Sequence, residues 1–356
     1  MGSRPHRGSD RSRHRTQTID GMRRLDAHRF PAALKATGLA ISILAGGAAY
    51  GVNTASADSQ AISRTAVAWT GTGSGQAALD GLRSPSREAD ARRQLRALEA
   101  SSESRIGAYA LDTATGKTVT YRSGERFPML STFKALASAA VLQKARTSDP
   151  GLMDRVIHWK ASEVKENSPR TEKHVDDGMT VAQLCEAAIT YSDNTAGNML
   201  LKQIGGPSGL TRYLRTLKDP VSRLDRWETE LNDWNPKEKR DTTTPASMAH
   251  DLQKVTTGNV LDARDRAQLN DWLRANTTGD TRIRAGLPKT WIIGDKTGTS
   301  ASYGATNDIA VIRTSASAAP LIMTIYTTHP AADAPNDNKV IADTATILAR
   351  ALGKLR

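Results

Sequence analysis

From residue 105 to 121 apolar and polar positions alternate in R-I-G-A-Y-A-L-D-T-A-T-G-K-T-V-T-Y, and the period of two around D-T-A-T-G predicts a β-hairpin. Strand-like runs return only near the end, in T-W-I-I-G-D-K-T-G (290–298), N-D-I-A-V-I-R (307–313) and P-L-I-M-T-I-Y-T (320–327). Between them, from 131 to about 275, the apolar spacing is mostly helical, as in M-T-V-A-Q-L-C-E-A-A-I-T-Y (179–191) and N-T-A-G-N-M-L-L-K-Q-I (194–204). V-I-A-D-T-A-T-I-L-A-R-A-L (340–352) and D-A-R-R-Q-L-R-A-L-E-A (90–100) add amphipathic helices near the two ends. Early and late strands around a helical middle predict an α+β fold of two lobes. An antiparallel five-stranded sheet flanked by helices is built from about 89–130 and 276–356, and an all-α lobe of about 131–275 is inserted into it. The cleft between such lobes is where a site is expected.

The first 57 residues follow neither pattern. Nine Lys/Arg against three Asp precede the uncharged run A-T-G-L-A-I-S-I-L-A-G-G-A-A-Y-G-V (36–52), and Ala55-Ser56-Ala57 is a small-residue cleavage pattern. Residues 1–57 are therefore expected to be an export signal cut near Ala57, leaving no stable membrane span and a secreted protein. Arg23-Arg24 leaves a twin-arginine route open beside the general one, although Asp26 and His28 follow where such signals prefer apolar residues. Met22 is an alternative start to Met1. Residues 58–88, with T-G-T-G-S-G-Q, are small, polar and aperiodic, and read as a flexible linker. Their G-T-G-S-G resembles a dinucleotide fingerprint, but no apolar strand precedes it.

Charge and cysteine content narrow the function. The formal +12 of the 356-residue chain halves when the leader is set aside, because 40 Lys/Arg then face 34 Asp/Glu. With aromatics at 4% and the bases scattered, nucleic acid is not an expected partner. Cys185 is the only cysteine, so no intrachain disulfide can form, and its apolar neighbours mark it as a small core residue. His6, His14 and His28 fall in the leader; His158, His174, His250 and His329 show no metal-ligand spacing, so neither a metal nor a cofactor is expected. There is no G-x-S-x-G elbow for a Ser-His-Asp hydrolase.

The chemistry concentrates in F-P-M-L-S-T-F-K (127–134). Where Ser131 opens a helix, Lys134 lies one turn along on the same face, and an amine enclosed by Met129, Leu130 and Phe133 would have its charged form disfavoured enough to activate the hydroxyl. The plainer reading is a helix N-cap followed by an exposed lysine. Two further stretches decide between them: Y-S-D-N (191–194) and D-K-T-G-T (295–299). The order S-x-x-K, S-D-N, K-T-G resembles the signature of class A β-lactamases and penicillin-binding proteins.

The resemblance to a class A β-lactamase runs from about residue 89 to the C-terminus. L-D-R-W-E-T-E-L-N (224–232) and R-D-T-T-T-P (240–245) look like that family's Ω-loop. By resemblance, Ser131 is the nucleophile, Lys134 and Glu228 are the rival bases for acylation, and Glu228 with Asn232 holds the water for deacylation. Ser192 with Lys296 relays a proton, and Arg226 pairs with Asp241 to close the loop. Thr297, Gly298 and Thr299 line the pocket for a substrate carboxylate, with Arg282 reinforcing it because Thr306 stands where other members place an arginine. Read plainly, Arg282 is a surface arginine and Gly298 a strand bulge. Asn194 is expected to bind the substrate amide and Asp193 to hold its turn. Backbone N–H groups of Ser131 and Thr299 would form the oxyanion site.

Three departures stand out. Thr229 replaces the usual proline after the glutamate, at a bond the resemblance implies is cis. Asn167 replaces a cleft-side aromatic. K-T-G-T-S-A-S-Y-G is one residue longer than in many members and resembles the broader-spectrum branch, although neither Leu130 nor Ser300 is the cysteine that some such enzymes cross-link. The expected activity is hydrolysis of penicillins and cephalosporins by a monomer. A D-Ala-D-Ala carboxypeptidase or transpeptidase is the alternative, and Glu228 with Asn232 argues against it, because without that base the acyl-enzyme would persist.

Overall fold

The computed structural model describes residues 75–356, and Gly2 ahead of them; side chains are described from Arg87 on. The leader and residues 58–74 of the expected linker lie outside the described residues. Helix α1 spans Gly75–Ser102, so 75–88 is helical where the sequence suggested irregular chain. The good helix formers in Q-A-A-L and R-E-A-D-A-R-R carry the helix through Gly81 and Pro85.

The hairpin forms as β1 (Arg105–Asp112) and β2 (Thr118–Tyr121), with Ala108 opposite Tyr121. A two-residue strand β3 (Phe127–Pro128) then leads to α2 (Phe133–Thr147). Short β4 (Val156–Ile157) and β5 (Met179–Thr180) pair with each other ahead of α3 (Val181–Thr190), α4 (Asn194–Gln203) and α5 (Gly206–Thr216). After the Ω-loop, β6 (Thr242–Thr243) pairs with β3, and α6 (Pro245–Thr256) and α7 (Ala263–Arg274) follow. The chain closes with β7 (Ile292–Thr299), β8 (Thr306–Arg313), β9 (Leu321–Thr328) and α8 (Asn338–Ala351). Side chains cap several of these helices at the expected residue types: Thr180, Asp193, Thr244, Asp262 and Asp337 each accept from a backbone N–H in the first turn.

The five-stranded sheet has the order β2-β1-β9-β8-β7 and is antiparallel throughout. Both its faces are covered. Ile106, Ala108 and Ala110 of β1 pack with Leu95 of α1 and Leu348 of α8, while Tyr109 and Leu111 of the same strand pack into the cluster that fills the helical lobe. This is why β9 is buried at every position and shows no alternation in sequence. Helix α2 runs through the helical cluster with every residue from Phe133 to Leu142 buried, a helix that is inside on all sides. Cys185 is buried there too, and desolvation pushes its thiol up to about 12. Strand β7 is the sheet edge beside the start of α2, and the candidate site lies along that seam.

Candidate active site

The segment before α2 is pinned from both sides. β3 pairs with β6, and Met129 N donates to Asp241 O at 2.7 Å. Leu130 then takes a left-handed φ of 48°, and one 3-10 turn over Leu130–Thr132 delivers Ser131 to the head of the helix. Ser131 is not a cap: the N-cap of α2 is Thr132, and no side chain caps it. Nor is Lys134 exposed; its relative accessibility is 0%. The plain reading of S-x-x-K therefore fails at both residues.

Lys134 Nζ sits 2.9 Å from Ser131 Oγ, 3.0 Å from Glu228 Oε1, 2.8 Å from Ser192 O and 2.6 Å from Asn194 Oδ1. An ammonium has three N–H bonds for these four neighbours, whereas a neutral amine has two and a lone pair that can accept from the serine hydroxyl. Burial lowers the pKa of Lys134, opposed by the charge of Glu228. Room for the lysine comes from Gly197, where a Cβ would stand 2.8 Å from Lys134 Cε.

Glu228 is fully buried. Its Oε1 accepts from Ser131 Oγ at 3.1 Å and its Oε2 from Asn232 Nδ2 at 2.7 Å. The Glu228–Thr229 peptide bond is cis, without a proline. The loop carrying it is closed as the resemblance implied: Arg226 Nε donates to Asp241 Oδ2 at 2.6 Å, and the other Asp241 oxygen accepts from the N–H groups of Asp225 and Arg226.

On the facing wall, Lys296 Nζ donates to Ser192 Oγ at 2.9 Å and to Thr297 O at 2.8 Å. Burial and the nearby Lys134 charge hold Lys296 well below an ordinary lysine, while Asp295 and Asp308 act the other way. Arg282 is buried, not a surface residue: Nη2 donates to Thr299 Oγ1 at 2.7 Å, Nη1 to Gly298 O and Asn307 O, and Nε to Asn338 Oδ1. Thr297 Oγ1 meets Thr278 Oγ1 at 2.5 Å. Gly298 brings β7 close to the segment that precedes Ser131, since a Cβ there would lie 3.0 Å from Leu130 Cβ and 3.4 Å from Met129 O. Asp193 accepts from Ala196 N, Thr171 Oγ1 and the N–H groups of Arg170 and Thr171, and so holds the turn. Asn194 Nδ2 donates to Glu166 O at 2.8 Å, beside the exposed Asn167. Thr306 is buried and its hydroxyl donates to Gly304 O, leaving Arg282 the cation beside Thr299.

Ser131, Lys134, Ser192, Asn194, Glu228, Asn232 and Lys296 thus converge on one seam between α2, α4, the Ω-loop and β7, with Thr297, Thr299 and Arg282 along its β7 wall. Others were missed. Asn198 exchanges two hydrogen bonds with the backbone of Glu228, and its position four after Asn194 on one helix face was the available signal. Ser300 Oγ donates to Asn232 O at 2.8 Å, and Asn338 orients Arg282; no local pattern marks either.

Comparison with known proteins identifies the family. The model of the β-lactamase enzyme family matches residues 90–352. β-Lactamase AST-1 of Nocardia asteroides is 52% identical over 256 residues, covering 72% of this chain and 82% of that protein. The crystal structure of a β-lactamase from Streptosporangium roseum is 75% identical, with a TM-score of 0.74 over 75% of this chain and 100% of that one. A class A β-lactamase described as the last common ancestor of Gram-negative bacteria is 52% identical, with a TM-score of 0.70 over 74% of this chain and 99% of that one. The chain belongs to the class A β-lactamases. As a β-lactamase it is a hydrolase of the β-lactam ring. Among the described residues no helix is long and apolar enough to cross a membrane.

Proposed function

We propose that this β-lactamase opens penicillins and cephalosporins through an acyl-enzyme on Ser131 that water activated by Glu228 hydrolyses, conferring antibiotic resistance. The observation that carries the reading is the triangle of Ser131 Oγ, Lys134 Nζ and Glu228 Oε1, with sides of 2.9, 3.1 and 3.0 Å. Either Lys134 or Glu228 is within reach of the serine proton, which general-base catalysis requires. The N–H groups of Ser131 and Thr299 stabilise the oxyanion; loss of one such donor typically costs about 10²- to 10³-fold. Ser192, between Lys134 and Lys296, hands a proton to the leaving nitrogen, and Lys296, Thr297, Thr299 and Arg282 bind the substrate carboxylate while Asn194 meets its amide. Gly298 keeps that wall near the nucleophile. Asn232 and Glu228 then hold the water that attacks the ester. The cycle uses no metal or cofactor and one copy of the chain.

The testing experiment is the time course of benzylpenicillin opening with substrate in large excess. Sustained turnover through many equivalents is expected. A burst of about one equivalent followed by silence would mean that Ser131 acylates without deacylation, the behaviour of a penicillin-binding peptidase.

Secretion, with residues 1–57 as the leader, is part of the same proposal. The N-terminal sequence of protein recovered from culture medium is expected to begin near Asp58; a retained leader would refute it.

A further inference from the structure

Away from the cleft, a cavity of about 860 Å³ opens between the end of α1, the end of β9 and the outer half of the Ω-loop, and it contains none of the catalytic side chains. Its size suits a small organic ligand. Trp234, Pro236 and Pro330 give it apolar walls. Trp234 is 5% exposed, yet its indole Nε1 has no hydrogen-bond partner among the described residues, and His329 Nε2 is likewise buried without one among them. His329 Nδ1 donates to the Glu103 carbonyl at 3.1 Å, which makes Nε2 an acceptor for a ligand hydroxyl or amide.

The charges are unbalanced once pairs are removed. Glu99 is matched by Arg122, Glu125 by Arg105 and Arg122, and Glu238 by Arg226 and Arg240. Arg126 donates only to Val221 O and Thr242 Oγ1, and Lys237 and Lys239 make no ion pair among the described residues. With the Arg126 guanidinium held by Val221 and Thr242, Lys237 and Lys239 face one unmatched carboxylate, Glu103, so the cavity favours an anion.

The cavity also borders the catalytic loop. Trp234 N donates to Asn232 O at 2.9 Å, and the Asn232 side chain holds Glu228 at 2.7 Å. We propose that the cavity is a second binding site for an amphipathic carboxylate, with an aryl or acyl body against Trp234 and its carboxylate between Lys237 and Lys239, and that occupancy alters deacylation through Asn232. The coupling rests on the acyl-enzyme reading above; the binding does not.

The test uses 2-naphthoate as the probe and neutral 2-naphthamide as its control. The indole proton resonance that disappears in Trp234→Phe is followed by NMR during titration. A saturable shift with naphthoate is expected, with the amide at least about tenfold weaker and the Lys237→Ala/Lys239→Ala double variant about fivefold weaker. Turnover by the unliganded double variant should match the wild type, and saturating naphthoate should change the deacylation rate of benzylpenicillin. No saturable shift up to about 10 mM, equal binding of the amide, or loss of the shift when a boronate occupies the catalytic cleft would each overturn the site. A bound probe that leaves deacylation unchanged would overturn the coupling alone. Because the titration needs no turnover, its result is independent of whether the enzyme proves to be a hydrolase.

Discussion

Asn198 clasps the peptide of Glu228 from both sides: its Oδ1 accepts from Glu228 N at 2.9 Å and its Nδ2 donates to Glu228 O at 2.8 Å. Two bonds from α4 thus fix the backbone of the residue proposed to hold the water. Asn198→Ala strips both and leaves a buried N–H and C=O unpaired, each costing ~1–3 kcal/mol. The expected result is a deacylation rate lower by roughly 10²-fold through misplacement of the carboxylate, with acylation less affected. Pre-steady-state kinetics on a chromogenic cephalosporin separates the two steps; an equal fall in both would contradict the assignment.

Glu228→Gln preserves size and the Asn198 and Asn232 contacts while removing the charge. Without a general base for water, deacylation should fall by about 10²- to 10⁴-fold and the acyl-enzyme should appear by intact mass spectrometry. The acylation rate of the same variant then discriminates the two bases. If it persists, Lys134 takes the serine proton; if it collapses with deacylation, Glu228 does.

Gly197→Ala addresses the lysine without touching it. The added Cβ would stand 2.8 Å from Lys134 Cε and 3.4 Å from Phe133 Cζ. Lys134 must shift away from Ser131, so acylation should slow by roughly tenfold or more while the circular dichroism spectrum stays native. Unchanged acylation would mean that the lysine tolerates displacement.

How much of this was legible beforehand depended on the range of the signal. Ser131, Lys134, Ser192 and Lys296 were readable because each sits in a short motif, and the hairpin was readable because β1 and β2 are joined by a turn with its own chemistry. Asn338 could not be found, since its role exists only where the start of α8 meets Arg282, 56 residues earlier in the chain. The buried state of Lys134 was half legible: its apolar neighbours pointed to enclosure, but the four acceptors around it come from segments up to 94 positions away. The start of α1 was missed because residues 75–88 show no apolar periodicity, which a long helix does not need in its first turns.

Asp251 gives a prediction about stability instead of turnover. It is fully buried on α6, no donor group among the described residues reaches either carboxylate oxygen, and its neighbour is the Asp219 carboxylate. Burial and the neighbouring charge of Asp219 push its pKa up to about 9. Asp219 resists the same burial because the Ser222 and Val221 donors hold its pKa down, so it carries the charge while Asp251 keeps a proton. Unfolded, an aspartate ionises near pH 3.9. Between about pH 4 and 9 folding therefore takes up a proton at Asp251, and stability from this group falls by ~1.4 kcal/mol per pH unit as pH rises. Asp251→Asn is neutral at every pH and its amide can still donate to Asp219. The variant should melt at least roughly 5 °C above the wild type at pH 7.5, with the gap closing toward pH 4.5. Differential scanning fluorimetry across that range reads the gap directly, and parallel curves for the two proteins would show that Asp251 is already ionised in the folded enzyme.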